Sequence, residues 1–302
     1  MKDDYLKLER IEQYNEWAHV KTLHPLVSVF RYPQNSPVRA VRQYFGFYAV
    51  FLKIGVNGDI FYGTRRYEYD DGTLIFTGPG QVVDLRHRVP VFQPSGRVLL
   101  FHPELLHGTP LARMMREFTF FSYDVSEGLN LNDREREIIN QLLDNIEEEL
   151  HDTESVCRDK LIVANIALLL TYCRRFYERQ FASRNKENNH LLSALEHLLD
   201  NYLSSDRPRK EGLPSVQFCA DSLHLSSNYL SDLLRNETGL SALKYIHERI
   251  VDCAKMRLAD PALSISEVAY SLGFEYPQHF TRLFRRETGC SPLEYRSQIE
   301  RK

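Results

Sequence analysis

The chain has 302 residues, of which 43% are hydrophobic and 12% aromatic; this composition excludes a disordered or fibrous protein and predicts two or three domains with a sizeable core. The net charge of -3 says little about partners, because acidic residues concentrate in 131–160. The five cysteines are scattered without a C-x-x-C pair, which favours reduced thiols over a zinc or redox site. The charged start, MKDDYLKLER, and the short apolar run at 161–170 predict neither a signal peptide nor a transmembrane segment, so we expect a cytoplasmic protein.

Residues 26–125 have the pattern of a β-rich domain. Short apolar and aromatic stretches, among them FGFYAVFLKIG, VLLFHP and FTFFSYD, alternate with Asn-Gly, Asp-Gly and Pro-Gly turn signals. Several short strands with such turns predict a small sandwich or barrel. We therefore assign 1–131 to a β-rich domain.

From Asn132 onward the pattern is helical. NDREREIINQLLDNIEEEL and ESVCRDKLIVANIALLLTYCRRFYERQF predict two helices, and HLLSALEHLLDNYL predicts a third after a polar break at 183–189. A charged connector is expected at 204–214. Because 161–170 is apolar on nearly all sides, we expect it to pack on the strand domain or on a second copy of itself. We assign 132–189 to a helical dimerisation or linker segment and expect a homodimer.

Two stretches near the C-terminus are nearly alike: NYLSDLLRNETG at 228–239 and QHFTRLFRRETG at 278–289 share five of twelve positions. They form an internal repeat. In each copy a short helix with a one-sided apolar stripe comes first; the stripes are Val216, Cys219, Ala220 and Leu223, and Ile265, Val268, Ala269 and Leu272. The second helix is expected to begin near Ser227 or Pro277 and to end at a glycine. Because His224 stands where the second copy has Gly273, we expect it to adopt a positive φ.

A helix, a short turn and a second helix with a polar outer face make a helix-turn-helix unit, whose second helix enters the major groove of DNA. We call the second helix of each copy a reader helix. The segment between the copies, 241–259, predicts one helix of 19 residues, about 28 Å long and close to the roughly 34 Å between successive major-groove faces. The sequence therefore predicts two reader helices held one helical turn of DNA apart by a rigid rod.

A family resemblance rests on two stretches of this region: A-x-S-L-H-L-S-S-N-Y-L-S-D-L-L-R-N-E-T-G-L-S and, after the long helix, L-S-I-S-E-V-A-Y-S-L-G-F-E-Y-P-Q-H-F-T-R-L-F-R-R-E-T-G-C-S-P-L-E-Y-R. They resemble the DNA-binding domain of the AraC/XylS transcription regulators over about 215–296. The resemblance implies an α+β chain with an all-α double helix-turn-helix domain, here 190–302, and an N-terminal sensing or dimerising domain that is often cupin-like. It also implies a bacterial regulator whose partners are double-stranded promoter or operator DNA, a small-molecule effector and RNA polymerase.

Base contacts are expected from the outer faces of both reader helices. Gln278 and Arg282 are the strongest candidates, because glutamine suits adenine and arginine suits guanine, each good pair contributing about 1–3 kcal/mol of discrimination. Asn228 and Ser231 are the candidates in the first copy. Thr281 is counted with the base contacts, with a phosphate contact as its alternative. The alternative for all five residues is that they lie on a solvent-exposed helix face and contact no DNA.

Phosphate contacts are expected from Arg235, Arg285 and Arg286. Asp232 is less suited to DNA, since a carboxylate near phosphates is repelled unless it accepts from a cytosine amino group. Its alternative role is to restrain neighbouring basic side chains.

Four residues of the N-terminal domain, His87, His102, Glu104 and His107, raise the question of a metal site. A metal-bearing cupin would need tight H-x-H spacing with a downstream glutamate, which HPELLH does not supply. We expect no metal.

Four aromatic residues, Phe45, Phe47, Tyr48 and Phe51, either line a ligand pocket or belong to the core. No nucleophile-base set, P-loop or G-x-G-x-x-G motif stands out, so neither catalysis nor a cofactor is expected. The second interpretation of the whole chain is a cupin-type enzyme or small-molecule binding protein whose helical C-terminus mediates association.

Overall fold

The computed structural model describes residues 5–55, 60–62, 65–67, 71–84 and 90–299. The chain divides into two compact units, Met1–Gln180 and Phe181–Lys302. The first combines strands with helices and the described part of the second is helical, so the predicted α+β class is confirmed. In the described ranges, no helix combines the length and apolar character needed to cross a membrane.

The first unit contains these strands in its described ranges: β1 (Tyr5–Leu8), β2 (Val27–Arg31), β3 (Val38–Arg39), β4 (Arg42–Phe45), β5 (Tyr48–Leu52), β6 (Ile60–Tyr62), β7 (Arg65–Tyr67), β8 (Thr73–Thr77), β9 (Val82–Asp84), β10 (Val91–Phe92), β11 (Arg97–Phe101) and β12 (Leu129–Asn130). The largest sheet is antiparallel in the order β12-β8-β5-β11-β2. β4 pairs in parallel with β1 and antiparallel with β9, while β3 pairs with β10 and β6 with β7. The described strands do not close into a barrel.

The centre of the large sheet is β11, whose five residues are all buried. It is paired on both edges, with β2 and β5. On one face of β11, Val98 and Leu100 point into an apolar cluster that also contains Phe45 and Phe47. Fully burying a side chain of this kind contributes about 1.5–3 kcal/mol, so the cluster is a main source of the first unit's stability.

The strand predicted at FTFFSYD is wrong. Thr119–Ser122 form a 3-10 helix, and Phe118, Phe120 and Phe121 are all buried. Phe120 lies 5.3 Å from the ring of Phe121 and stacks on Tyr177 at 5.5 Å. A strand would send neighbouring side chains to opposite faces, whereas a 3-10 turn lets both rings enter one aromatic cluster. Tertiary packing therefore overrides the strand propensity of these aromatics.

The α-helices of the described residues are α1 (Ile11–Trp17), α2 (Pro110–Met114), α3 (Asp133–His151), α4 (Arg158–Ser183), α5 (Asn185–Ser204), α6 (Arg207–Glu211), α7 (Val216–Leu223), α8 (Ser227–Thr238), α9 (Ala242–Leu258), α10 (Ile265–Ser271), α11 (Pro277–Thr288) and α12 (Pro292–Ile299). The helix predicted from Asn132 is confirmed as α3. Asn132 is its N-cap and accepts from the backbone N–H of Glu135 at 3.0 Å, while the Glu135 carboxylate accepts from the Asn132 N–H at 3.1 Å.

The polar break predicted at 183–189 is shorter than expected. Only Arg184 separates α4 from α5. The side chain of Asn188 donates to the carbonyl of Phe181 at 2.7 Å, which bridges the end of one helix and the first turn of the next. The polar residues predicted a break, but here the Asn188 amide satisfies a terminal carbonyl, the group that helix ends leave unpaired.

The connector predicted at 204–214 contains the short helix α6. Arg207 pairs with Glu211 at 2.8 Å, an i,i+4 arrangement that stabilises a helical turn. Pro208 lies in the first turn, where its missing N–H costs little. The charges and the proline therefore support a helix here.

Candidate nucleic-acid interface

The first helix-turn-helix consists of α7 and α8. Ser215 caps α7 and Ser226 caps α8, each accepting from a backbone N–H three residues later, at 3.0 and 3.2 Å. His224 ends α7 with φ 62° and ψ 39°, so its predicted positive φ is confirmed. The start of α8 at Ser227 and its end at Gly239, with φ 74°, also agree with the sequence.

The second helix-turn-helix consists of α10 and α11. Ser264 and Glu267 form a reciprocal capping box at the start of α10. Gly273 has φ 95°, and a Cβ added there would lie 2.7 Å from the carbonyl carbon and oxygen of Gly212. Glycine is therefore required at this turn both for its backbone conformation and for the close approach of another backbone segment.

Both reader helices, α8 and α11, are fixed by apolar residues on their inner faces. The apolar residues on these faces are all buried: Leu230, Leu233 and Leu234, and Phe280, Leu283 and Phe284. Of the predicted stripes on α7 and α10, Cys219, Ala220, Val268, Ala269 and Leu272 are buried, whereas Val216, Leu223 and Ile265 are half-buried. The outward faces of the reader helices are thereby set by packing.

The helix between the two copies, α9, has 17 residues rather than the expected 19, about 26 Å at the usual rise. Ser241 is its N-cap, accepting from the N–H of Lys244 at 3.3 Å, and Ala259 is its C-cap. Ile250, Val251 and Ala254 of α9 belong to one apolar cluster with residues of both helix-turn-helix copies and of α5. The predicted rod is therefore a helix whose inner face packs into the core that both copies share.

On the outer face of α11, Gln278, Arg282 and Arg285 are exposed and Thr281 is half-buried. Within the described part of the chain, the side chains of Gln278, Arg282 and Arg285 make no hydrogen bond or ion pair, so their donors can turn to an external partner. Arginine offers five donors in a fixed fork, which matches guanine acceptors and phosphate oxygens. The second reader helix thus presents a basic face.

On the outer face of α8, Asn228 and Arg235 are exposed, while Ser231 and Asp232 are half-buried. The Asp232 carboxylate lies 4.0 Å from the Arg235 guanidinium, close enough to restrain it. The acidic and basic side chains offset each other, so the first reader helix is close to neutral and less suited to phosphate binding.

Ser231 and Thr281 share a position in the repeat and the same local hydrogen bond. The Ser231 hydroxyl donates to the carbonyl of Ser227 at 2.7 Å, and the Thr281 hydroxyl donates to that of Pro277 at 3.1 Å. With its proton directed into the helix, each hydroxyl has lone pairs left to accept from a base or a water.

Arg286 is the predicted phosphate contact with the most protein partners. Its Nη2 lies 2.7 Å from Glu287 Oε1 and 3.1 Å from Nδ1 of His247 on α9. Burial lowers the pKa of His247 and the neighbouring Arg286 lowers it further, so the neutral imidazole accepts this bond. Arg286 would therefore hold a phosphate while tethered to Glu287.

The residues that raised the question of a metal site are not grouped as ligands in the described part of the first unit. His102 caps the 3-10 helix Pro103–Leu106, its Nδ1 accepting from the N–H of Glu104 at 3.3 Å. His87 lies outside the described residues. Over the part of the chain that the structure describes, no three His, Cys, Asp or Glu side chains group as a metal site.

The four aromatic residues divide between a cavity and the core. Phe45 and Phe51 line a cavity of the first unit. Phe47 is fully buried in the adjacent cluster, and Tyr48 stacks on Phe101 at 4.9 Å.

Three polar residues of the same cavity, Trp17, Gln43 and Lys53, were not singled out by the sequence analysis. Gln43 lies at a buried position of β4, between half-buried neighbours, which the sequence alone did not indicate.

Comparisons with known proteins found a family match in the C-terminal region. Residues 219–298 match a family model described as a helix-turn-helix domain. The uncharacterized HTH-type transcriptional regulator YijO of Escherichia coli is 31% identical over 139 residues, which cover 46% of this chain and 45% of that protein. The arabinose operon regulatory protein of Escherichia coli is 34% identical over 83 residues, or 28% of either chain.

The HTH-type transcriptional activator RhaS of Escherichia fergusonii is 33% identical over 108 residues, covering 36% of this chain and 35% of that protein. In each case the match spans less than half of the relative's length. The C-terminal region is a helix-turn-helix domain of the type found in AraC-type transcription regulators.

Proposed function

We propose that this protein is a sequence-specific, double-stranded DNA-binding transcription regulator and not an enzyme. The observation that carries the proposal is the basic outer face of α11, where Arg282 and Arg285 are exposed and make no bond within the described chain. The first reader helix, α8, packs in the same core and offers another polar face. Two reader helices in one unit suit two successive major grooves.

In this proposal Gln278, Arg282, Thr281, Asn228 and Ser231 contact bases. Arg285, Arg286 and Arg235 contact phosphates. The unequal charge of α11 and α8 supports a dominant second reader, because phosphate neutralisation supplies most of the sequence-independent affinity.

The remaining domains are given regulatory roles. Residues 1–131 would be a cupin-like sensing domain for a small-molecule effector, and 132–189 a segment for dimerisation. The dimer is supported by α4, where Leu161 and Leu168 lie two turns apart on one face and are 43% and 47% exposed. RNA polymerase would be the further partner, in the cytoplasm.

The test of DNA binding is a gel-shift assay with the full chain. The probe is the DNA upstream of its own gene, and the competitor is random DNA of equal length. We expect a shift that random DNA competes poorly. Arg282→Ala should reduce the preference, while Arg116→Ala, a change of an exposed arginine of the first unit, should keep it. If unlabelled probe DNA and random DNA competed equally well, the proposal would be refuted and a small-molecule binding protein or enzyme would be favoured.

The dimer has its own test, sedimentation at micromolar concentration with and without DNA. We expect a dimer that Leu161→Asp or Leu168→Asp dissociates. A monomer in both conditions would refute this part of the proposal and leave the DNA-binding part standing.

A further inference from the structure

A cavity inside the first unit lies among α1, β4, β8, β9 and the end of β5. Its volume is about 40 Å³, room for about three waters or one organic molecule of similar size. Its walls are mostly apolar and include the rings of Tyr14, Phe45, Phe51 and Phe92. Pockets that bind small molecules are typically apolar with a few polar groups.

The polar groups in these walls lack protein partners. Gln43 is fully buried, and neither its amide oxygen nor its amide nitrogen has a hydrogen-bond partner in the described structure. The indole N–H of Trp17 is likewise buried and without one. Native proteins rarely leave such atoms unsatisfied, so two donors and an acceptor in one cavity indicate a site built for a ligand.

The charge in the cavity is positive. Lys53 lines it, and within the described residues its ammonium has no carboxylate partner; its Nζ lies 5.8 Å from the ring centre of Phe51. Lys53 keeps some accessible surface, yet enough protein surrounds it to lower its pKa to about 8. The hydroxyls of Tyr14 and Tyr32 bond to each other at 2.6 Å, and burial raises the pKa of both phenols, so they stay neutral.

We propose that this cavity binds a small monocarboxylate, with the carboxylate held by Lys53, the Trp17 indole N–H and the Gln43 amide. The apolar body of the ligand, a chain of one or two carbons, lies against the aromatic walls. An anion supplies the counter-charge that Lys53 lacks, and its two oxygens accept from the unpaired donors. This inference deepens the sensing role proposed for the first unit and rests on it.

The chain carries a reporter for the test, because Trp17 is its single tryptophan. Tryptophan emission of the full chain is titrated with acetate and with propionate, each beside its neutral amide, acetamide or propionamide. We expect a saturable change with at least one carboxylate and affinity lower by about tenfold or more for its amide. Equal affinity for acid and amide, or no saturable change with any of the four, would overturn the inference.

Variants assign the response to residues. Lys53→Met should reduce the affinity for the carboxylate to that for the amide, and Gln43→Leu should weaken it as well. Lys21→Met, an exposed lysine that does not line the cavity, should leave it unchanged. Circular dichroism confirms that each variant is folded. Full carboxylate affinity in folded Lys53→Met would refute the role of that ammonium.

The gel-shift assay separates this inference from the proposed function. DNA binding without carboxylate binding refutes the cavity site and leaves the regulator intact. Carboxylate binding without DNA preference supports the cavity site while refuting the regulator.

Discussion

His224 and Gly273 occupy the same position in the two helix-turn-helix turns and share a left-handed backbone, with φ 62° and 95°. Their surroundings differ, because His224 is exposed, whereas the backbone of Gly212 closely approaches Gly273. The first turn therefore accepts a side chain and the second does not.

Gly273→Ala should lower the thermal midpoint of unfolding more than Gly239→Ala does. Both alanines would have to adopt a positive φ, at about 1–2 kcal/mol, but the Cβ at position 273 would also meet backbone atoms at 2.7 Å, whereas nothing lies within 4 Å of one at position 239. Melting of the two variants by circular dichroism checks this. Equal midpoints would show that the contact relaxes without cost.

Arg282→Ala should weaken specific binding by about 1–3 kcal/mol and relax the preference at one base pair, since a bidentate base contact is lost. The affinity for random DNA should change less. Gel shifts on a set of single-base operator variants measure this. An unchanged base preference would move Arg282 from the base contacts to the phosphate contacts.

Arg286→Ala should weaken binding to all sequences alike and reduce the salt slope by about one, as expected for the loss of one phosphate contact. Because Arg286 is paired with Glu287 and His247, Glu287→Gln should strengthen binding by releasing it. Affinities over a range of salt concentrations measure both. An unchanged salt slope in Arg286→Ala would show that Arg286 contacts other protein residues but no phosphate.

The buried Arg97 of β11 gives a prediction for the first unit. It is 2% exposed and pairs with Asp144 at 2.6 Å and Glu147 at 2.9 Å on α3, both of which are half-exposed. Removing both carboxylates (Asp144→Asn with Glu147→Gln) leaves a buried charge and should cost about 3–5 kcal/mol. Arg97→Met leaves two carboxylates that water can solvate, so it should cost less in a urea titration. If Arg97→Met lowered the free energy of unfolding more than the double variant did, the guanidinium would stabilise the fold by packing.

Lys53 predicts how stability depends on pH. Its folded pKa, about 8, is below its ordinary value of 10.5, so between these values the unfolded chain binds more protons and the free energy of unfolding rises with pH. Below about pH 8 the burial of the charge opposes folding in full. Lys53→Met should therefore stabilise at neutral pH and flatten the rise, whereas Lys21→Met should not. Urea titrations across this pH window test the difference.

The C-terminal helices could be predicted because their signals are local. Ser227, Pro277 and the two terminal glycines mark the helix ends within a few residues, and the repeat shows which faces are buried. His224 is the clearest example of such a local signal, because its match to Gly273 in the repeat predicted its positive φ.

Features that depend on contacts between distant residues were not predictable. Arg286 meets His247 across 39 positions. Trp17 on α1, Gln43 on β4 and Lys53 just after β5 are brought to one cavity only by the fold. The aromatic stretch at 118–124 failed for the same reason, because a helix far along the chain supplies Tyr177 for its packing. Local propensity carries no information about such partners.

Because both reader helices and α9 share one apolar core, the spacing between the readers is a fixed dimension of the protein. A flexible linker between the reader helices would let their distance adjust to the DNA, whereas the shared core holds that distance constant. On an operator the adjustment therefore falls to the double helix, which must bend wherever its pitch differs from that spacing. We expect operators to be selected for flexible pyrimidine-purine steps between the half-sites, at positions that no side chain touches.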